Sequence, residues 1–330
     1  MNDLRVRRRR RLVQCAFAAV LLTALAAPVN ASSDDGLPNN GQWLIDSSRS
    51  SASVEFTLRA SSSSASHHDD YESSQPMRLD ALTGLAAAQL NSGGSHVSFR
   101  LIRDAGTFTC DGWVAHQKGG GTFEFAASSS FAAGLAKRGI DAPSGDQSLR
   151  LALGDIGLAY VDELKADGYA RPSIDDLVRM GEHGVTTSFL KDMAGFGYRL
   201  QNVGALVRLR DHGVDGDYLR ALAALGYKNI SAEDAIRTRD HGVDAGFIRG
   251  MQKDGYAGLS IDDLVRLRDH GVDTDFVDEM RSAGYSNISA DDLVRLRDHG
   301  VDGAYVKKLA SHGYAHLTVA DLIRLRDSGI

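Results

Sequence analysis

Five histidines recur at one interval: His183, His212, His241, His270 and His299 stand 29 residues apart. Four of them sit in the string Arg-Asp-His-Gly-Val, so a base, an acid and an imidazole lie side by side in each copy. An imidazole can ligate a metal or titrate near neutral pH. A shared zinc ion demands ligand bonds of about 2 Å. One histidine per copy, on helices stacked about 10 Å apart, does not meet that demand. Each histidine also precedes a glycine at the end of a helical pattern. There its positive form complements the negative helix end, which is the reading the pattern favours. Ser328 takes the place in the last copy.

A second series keeps the same interval: Arg150, Arg179, Arg208, Arg237, Arg266, Arg295 and Arg324. Asp262 lies four residues before Arg266, a favourable helical pair. Gly204 stands at that place before Arg208, and the arginine remains. A contact to the neighbouring copy explains this better than a local pair. The competing reading is a basic stripe that grips an acidic partner, although Asp211, Asp240, Asp269 and Asp298 run alongside and would neutralise it. On that reading the partner-binding candidates are Arg208, Arg237, Arg266, Arg295 and Arg324, with Lys307 and Lys308 from a second helix of the last complete copy.

The remaining chemical candidates are weaker. "HHDD" (His67–Asp70) has metal-ligand types, but four adjacent residues in a serine-rich stretch rarely converge on one ion. "KGGG" (Lys118–Gly121) lacks the spacing of a phosphate loop and reads as a hairpin turn. The sequence contains no His-Glu-x-x-His and no Gly-x-Ser-x-Gly. It points to no catalytic residue, no metal and no cofactor, and hence to a protein that is not an enzyme.

The elements that carry these residues follow from the repetition. "DDLVRLRDHGVD" stands at Asp262–Asp273 and again, letter for letter, at Asp291–Asp302. Gly-Tyr recurs at Gly168, Gly197, Gly226, Gly255, Gly284 and Gly313, and "RGI" at Arg138–Ile140 is a degenerate copy. A period of this size is the signature of a stacked helical array. Within a copy, Ser260 with Asp263 resembles a capping box, and Ser289 repeats it. Gly271 and Gly300 tolerate the left-handed backbone of a helix stop, after which Val272 folds back toward Leu267. Asp273 caps a second helix, and Gly284 ends it. Each copy is thus two helices of about ten residues, each about 15 Å long. Neither is stable alone in water, so stacking must bury their apolar faces. First helices are nearly uniform between copies. Second helices diverge on polar positions such as Lys191, Arg220, Arg249, Asp278 and Lys307.

Upstream the period changes to two. "SASVEFTLR" and "SHVSFRLIR" alternate apolar and polar residues, and "GTFTCDGWVAH" and "GTFEFAA" follow. Alternation with turn-rich gaps predicts four to six antiparallel strands in a small sheet or sandwich. "SSSSASHHDDYESSQ" (Ser61–Gln75) reads as a polar loop between strands. The fold class expected is α+β in two domains, a small antiparallel β sheet or sandwich head followed by an αα-repeat solenoid. The boundaries are a signal peptide at 1–31, a flexible start at 32–41, the β-rich domain at 42–130 and the array at 131–330.

The first 31 residues have a basic stretch, Arg5 and Arg7 to Arg11, then an apolar run, Leu12–Ala27, then small residues ending at Ala31. That is the layout of a secretory signal cut after Ala31, and the run of about 15 residues is shorter than the roughly 20 a membrane span needs. Its removal takes the formal net charge from −6 to −11, because it carries six Arg and one Asp. An acidic exported chain with no later span is a poor partner for nucleic acid or anionic lipid. Loss of Cys15 leaves Cys110 alone, so no internal disulfide forms.

"FRLIRDAGTFTCDGWVAHQKGGGTFEF" followed by copies of "LVRLRDHGVD" resembles a group of uncharacterised exported bacterial proteins with a β-rich head and an "RDHGV"-type helical array. Similar arrays follow the membrane and protease parts of some β-lactam-sensor-type metallopeptidases. The resemblance covers about residues 85–330 and implies an extracytoplasmic sensing or docking module. It does not imply peptidase activity, since this chain lacks the zinc motif and the multi-span region.

Two functions are therefore expected. The first is a periplasmic or secreted scaffold whose array binds a protein or peptide of the cell envelope. The second is an envelope sensor whose β head takes a small molecule or glycan near Trp113, Phe108 and Phe123. The oligomeric state is left open, although "RDSGI" after the last helix stop suggests an end that pairs with a second molecule.

Overall fold

The structure is a computed structural model that describes residues 39–47, 52–64, 67–169, 171–198, 200 and 202–330, without the side chains of 61–70. The expected signal peptide and nearly all of the flexible start lie outside the described residues.

Seven strands form the head: β1 (Asn40–Asp46), β2 (Ser53–Ser64), β3 (His67–Arg78), β4 (Leu82–Thr83), β5 (Ser95–Arg103), β6 (Gly106–Ala115) and β7 (Lys118–Ala127), among the described residues. They make one antiparallel sheet in the order β3-β2-β1-β7-β6-β5-β4, not a sandwich. The alternation has the expected cause. Val97, Phe99 and Leu101 point inward from β5, and Phe108, Cys110 and Val114 from β6, all buried. Trp43 on β1 meets Phe99 on β5 with ring centroids 5.0 Å apart. Three strand spacings in a flat sheet would separate them by about 14 Å. The sheet therefore curls, and the curl lets one sheet enclose its own core.

Two local expectations fail. The stretch expected as a loop is strand at Ser61–Ser64 and at 67–75. Ser61–Ser64 pair with His67–Asp70 at the far end of a long β2–β3 hairpin. The register set by Val54, Phe56 and Leu58 continues through backbone hydrogen bonds that serine does not interrupt. Lys118–Gly121 is no turn, because it opens β7. The turn is His116-Gln117, with φ of 50° and 68°, the left-handed pair of a two-residue hairpin. The glycines serve the indole of Trp43. A Cβ on Gly121 would lie 2.8 Å from Trp43 Nε1 and 2.0 Å from the Asp111 carbonyl oxygen.

A short helix, α1 (Ala87–Leu90), precedes β5, and fourteen nine-residue helices follow the sheet among the described residues. In chain order they are α2 (Ser129–Lys137), α3 (Gly145–Leu153), α4 (Leu158–Ala166), α5 (Ile174–Glu182), α6 (Thr187–Gly195), α7 (Val203–Asp211) and α8 (Gly216–Ala224). Then come α9 (Ala232–Asp240), α10 (Ala245–Lys253), α11 (Ile261–Asp269), α12 (Thr274–Ser282), α13 (Ala290–Asp298), α14 (Gly303–Ser311) and α15 (Val319–Asp327). Contacts run to the next helix but one. In one row α9 lies on α11, α11 on α13 and α13 on α15; in the other α2 lies on α4 and so on to α14. α3 also packs against β6 and β7, and Asp104 in the β5–β6 turn accepts from the Leu158 N–H at 2.9 Å, so sheet and helices join.

The ends of the helices follow their sequence. Ser260 Oγ accepts from Asp263 N at 3.1 Å and Ser289 Oγ from Asp292 N at 3.1 Å. Asp273 accepts from Phe276 N at 2.9 Å. Gly271 takes φ +70°, and the Val272 N–H then reaches the Leu267 carbonyl at 2.8 Å. Gly284 and Gly300 take φ of 93° and 68° in the same role. Leu264, Val265 and Leu267 are buried, and each contributes about 1.5–3 kcal/mol relative to exposure. No helix among the described residues is long and apolar enough to cross a membrane.

Candidate functional site

Arg266, Arg268 and His270 of "RLRDH" are each engaged with a neighbouring copy. Arg208 holds Glu233 at 2.6 and 2.8 Å, Arg237 holds Asp262, and Arg266 holds Asp291 at 2.5 Å. Each acid lies 25 residues on, in the first turn of the next first helix. Asp262 thus serves Arg237 and not Arg266. Arg295 would need an acid at position 320, where Ala320 stands, and it falls back on Asp292 of its own helix at 2.8 Å. Arg324 does the same with Asp321 at 3.2 Å. Arg150, at the head of the series, reaches Asp146 and Glu182 at 3.2 Å and stands 5.8 Å from the Tyr71 ring centre. It lines a cleft of about 360 Å³ between β3, α3 and α5.

The second arginine stacks. Arg239, Arg268, Arg297 and Arg326 lie 4.8–4.9 Å from the ring centres of Tyr218, Phe247, Phe276 and Tyr305, and Arg210 lies 5.8 Å from Phe189. These are cation–π contacts back to the preceding second helix.

The histidines make a third rung, forward. Nδ1 of His183 meets Asp211 at 2.6 Å, His212 meets Asp240 at 2.7 Å, His270 meets Asp298 at 2.6 Å and His299 meets Asp327 at 2.8 Å, with His241 and Asp269 paired likewise. The histidines also occupy the C-cap positions of α5, α7, α9, α11 and α13. The cap position was legible in the sequence; the carboxylate partner in the next copy was not, although the adjacent Asp-His pair at constant period carried its signal. A fourth rung is tyrosine. Tyr198, Tyr227, Tyr256 and Tyr285 donate to the carbonyls of Ile230, Leu259, Ile288 and Leu317 at 2.7–2.8 Å. Burial pushes the Tyr198 phenol up to about 12, so it remains a donor.

The rungs leave other cations over. Among the described residues Arg249, Lys307 and Lys308 are exposed and make no ion pair. All three lie on second helices, α10 and α14. Arg220, the counterpart of Arg249 and Lys307, is tied to Asp192 and Asp217 at 2.9 and 2.7 Å.

The head presents a different surface. Phe108 and Phe123 are 0% and 1% exposed, so neither lines a site. Trp113 is 64% exposed on the opposite face. It pairs across the sheet with His96 on one side and Gly120 on the other, and Gly120 pairs with Leu44. His96 meets Asp111 at 3.1 Å beside it. Cys110 is buried, and burial pushes its thiol up to about 12, which suits a core residue and not a nucleophile. Among the described residues no group of three or more His, Cys, Asp or Glu is placed to hold a metal ion. The side chains of His67–Asp70 fall outside the description.

No known protein-family model matches the chain, and no curated protein matches it either.

Proposed function

We propose that the chain is an exported, non-enzymatic scaffold whose helices form a solenoid of 29-residue repeats and bind a protein or peptide of the cell envelope. The observation that carries this reading is a division of labour among the charges. Arg208, Arg237 and Arg266 and the five histidines of the first helices are engaged between copies, whereas Arg249, Lys307 and Lys308 on the variable second helices make no ion pair among the described residues. In a stacked array the uniform positions maintain the stack, which leaves the variable face to solvent or to a partner. On this reading Arg208, Arg237 and Arg266 serve the stack, and Arg295, Arg324, Lys307 and Lys308 remain as candidates for the partner.

The test is crosslinking and capture from the native envelope with the full chain. Lys307→Glu with Lys308→Glu is expected to lose the partner that wild type captures, and Arg266→Ala to keep it. Equal capture by all three proteins overturns the reading.

A second reading rests on Trp113. An exposed indole beside a side-chain-free glycine and a His–Asp pair can stack on a sugar ring while polar neighbours take its hydroxyls. The chain has two tryptophans, and Trp43 is fully buried, so fluorescence quenching by glycans reports on Trp113. No quenching by any neutral oligosaccharide overturns this alternative.

A further inference from the structure

We infer that the junction between α2 and α4 is a binding site for a small organic anion, one that carries a phosphate or carboxylate on an apolar body. The cleft there measures about 700 Å³, within the range of ligand pockets. Its wall bears Lys137, Arg138, Lys165 and Arg171, and its single acid is Asp162. Arg138 already holds Asp162 through two hydrogen bonds of 2.7 and 2.6 Å. Lys137, Lys165 and Arg171 make no ion pair among the described residues and are exposed. Three uncompensated cations around one cavity are unusual in a chain whose formal net charge is −6. The floor is apolar, formed by the buried Ile140, Val161 and Tyr169.

The other junctions show that these cations are no requirement of stacking. One copy on, the places of Lys137, Lys165 and Arg171 hold Ala166, Ala194 and Leu200, and two copies on they hold Gly195, Ala223 and Asn229. The junction with Lys253 and Arg281 ties Arg281 to Asp254 and Asp278 at 3.2 and 2.7 Å.

Arg171 adds a second, independent argument. It takes φ +40°, a left-handed conformation that a Cβ disfavours. The next copy has Leu200 at this place; in the four after it the places are Asn229, Gly258, Asn287 and His316, left-handed at φ of 54° to 75°, and three of these four are residues that tolerate it. A long cation is retained at the place where the fold asks for Asn or Gly. Its guanidinium covers Gly139, 3.6 Å from where a Cβ would stand, whereas nothing lies within 4 Å of that point at the equivalent Gly168, Gly197 and Gly226. Local strain at a cationic cleft marks ligand recognition better than it marks stability. This inference does not depend on the scaffold reading.

The test is calorimetric titration of the full chain with phenyl phosphate, benzoate and, as the neutral counterpart, phenol, together with thermal melting of variants. Saturable binding of either anion, with phenol at least tenfold weaker, is expected, and the stronger anion tells phosphate from carboxylate. Arg171→Asn is expected to weaken that anion about tenfold while the melting temperature holds or rises. Lys165→Gln should weaken it severalfold at unchanged melting temperature. Binding of neither anion, anions no tighter than phenol, or full affinity in Arg171→Asn overturns the assignment. A melting temperature that falls sharply in Arg171→Asn, with affinity intact, assigns the arginine to structure and overturns it too.

Discussion

The head and the array bury apolar surface in opposite ways. In the head, Trp43 meets Phe99 and Phe56 meets Phe99 across a curled sheet, so residues far apart in sequence share one core. In the array, contacts that link copies reach forward by 25, 28 or 32 residues and recur at that spacing, the first at three consecutive copies and the others at more. A core made once fails as a whole, whereas a stack loses one interface at a time. The head therefore tolerates little change at inward positions. The array can vary a solvent-facing helix without touching its neighbours, and that freedom is where recognition can be written.

The largest effect that tests this contrast is Trp43→Ala. Truncating a fully buried tryptophan costs about 3–5 kcal/mol, and the partner rings cannot close around the gap. Urea unfolding followed by far-ultraviolet circular dichroism should show the sheet melting early and the helical signal persisting to higher urea. One merged transition at lower urea would mean that the array leans on the head and would break the contrast. Gly271→Val comes next. At φ +70° a β-branched side chain costs about 1–2 kcal/mol. Hydrogen exchange should speed up around α11 and α12 and leave β1–β7 protected. Faster exchange in the sheet would count against independent interfaces.

The two regions were also unequally legible. The array could be read because its rules are local and repeated. Ser260, Gly271 and Asp273 announce a cap, a stop and a new cap within a few residues, and each copy checks the last. For the first arginine of "RLRD" a contact to the neighbouring copy was legible, because Arg208 stays where Gly204 replaces the local acid, but its partner, a carboxylate 25 residues ahead, was not. For the second, whose partner is an aromatic ring on the preceding second helix, the common period was the one hint. The head was read less well. Ser61–Ser64 and His67–Asp70 carry no apolar alternation, and their strand state comes from the hairpin register set by Val54 and Phe56. Gly119 and Gly121 looked like a turn because their job, making room for Trp43, depends on a residue more than seventy positions earlier.

Smaller effects sharpen the contrast inside the array. Arg268 stands 4.9 Å from the Phe247 ring centre, and Arg268→Ala should cost about 0.5–1 kcal/mol in urea unfolding, with Arg268→Lys recovering part of it. An equal loss in Arg249→Ala, which stacks on no ring, would remove the special status of the rung.

The smallest effect is the exposed ion pair between copies, and pH isolates it. The hydrogen bond from Arg208 holds the Glu233 carboxyl below its ordinary value of 4.5. A carboxylate held down in this way adds stability that is fully present above that ordinary value and is lost as pH falls through the lowered one. Glu233→Gln lacks this contribution at every pH. The melting temperatures of wild type and Glu233→Gln should therefore differ slightly near about pH 7 and converge in acid, once Glu233 is protonated in both folded and unfolded chains. Salt should shrink the difference as well, because both side chains are largely exposed. Arg295 provides the internal control. It pairs only within its own helix in this structure, since Ala320 offers no carboxylate, so Ala320→Glu is expected to add a rung and raise the melting temperature above about pH 5. If Ala320→Glu stabilises no more than a glutamate placed on the solvent face of α14, then the 25-residue pairing is incidental to the stack, and the arginine series returns to the surface that a partner could use.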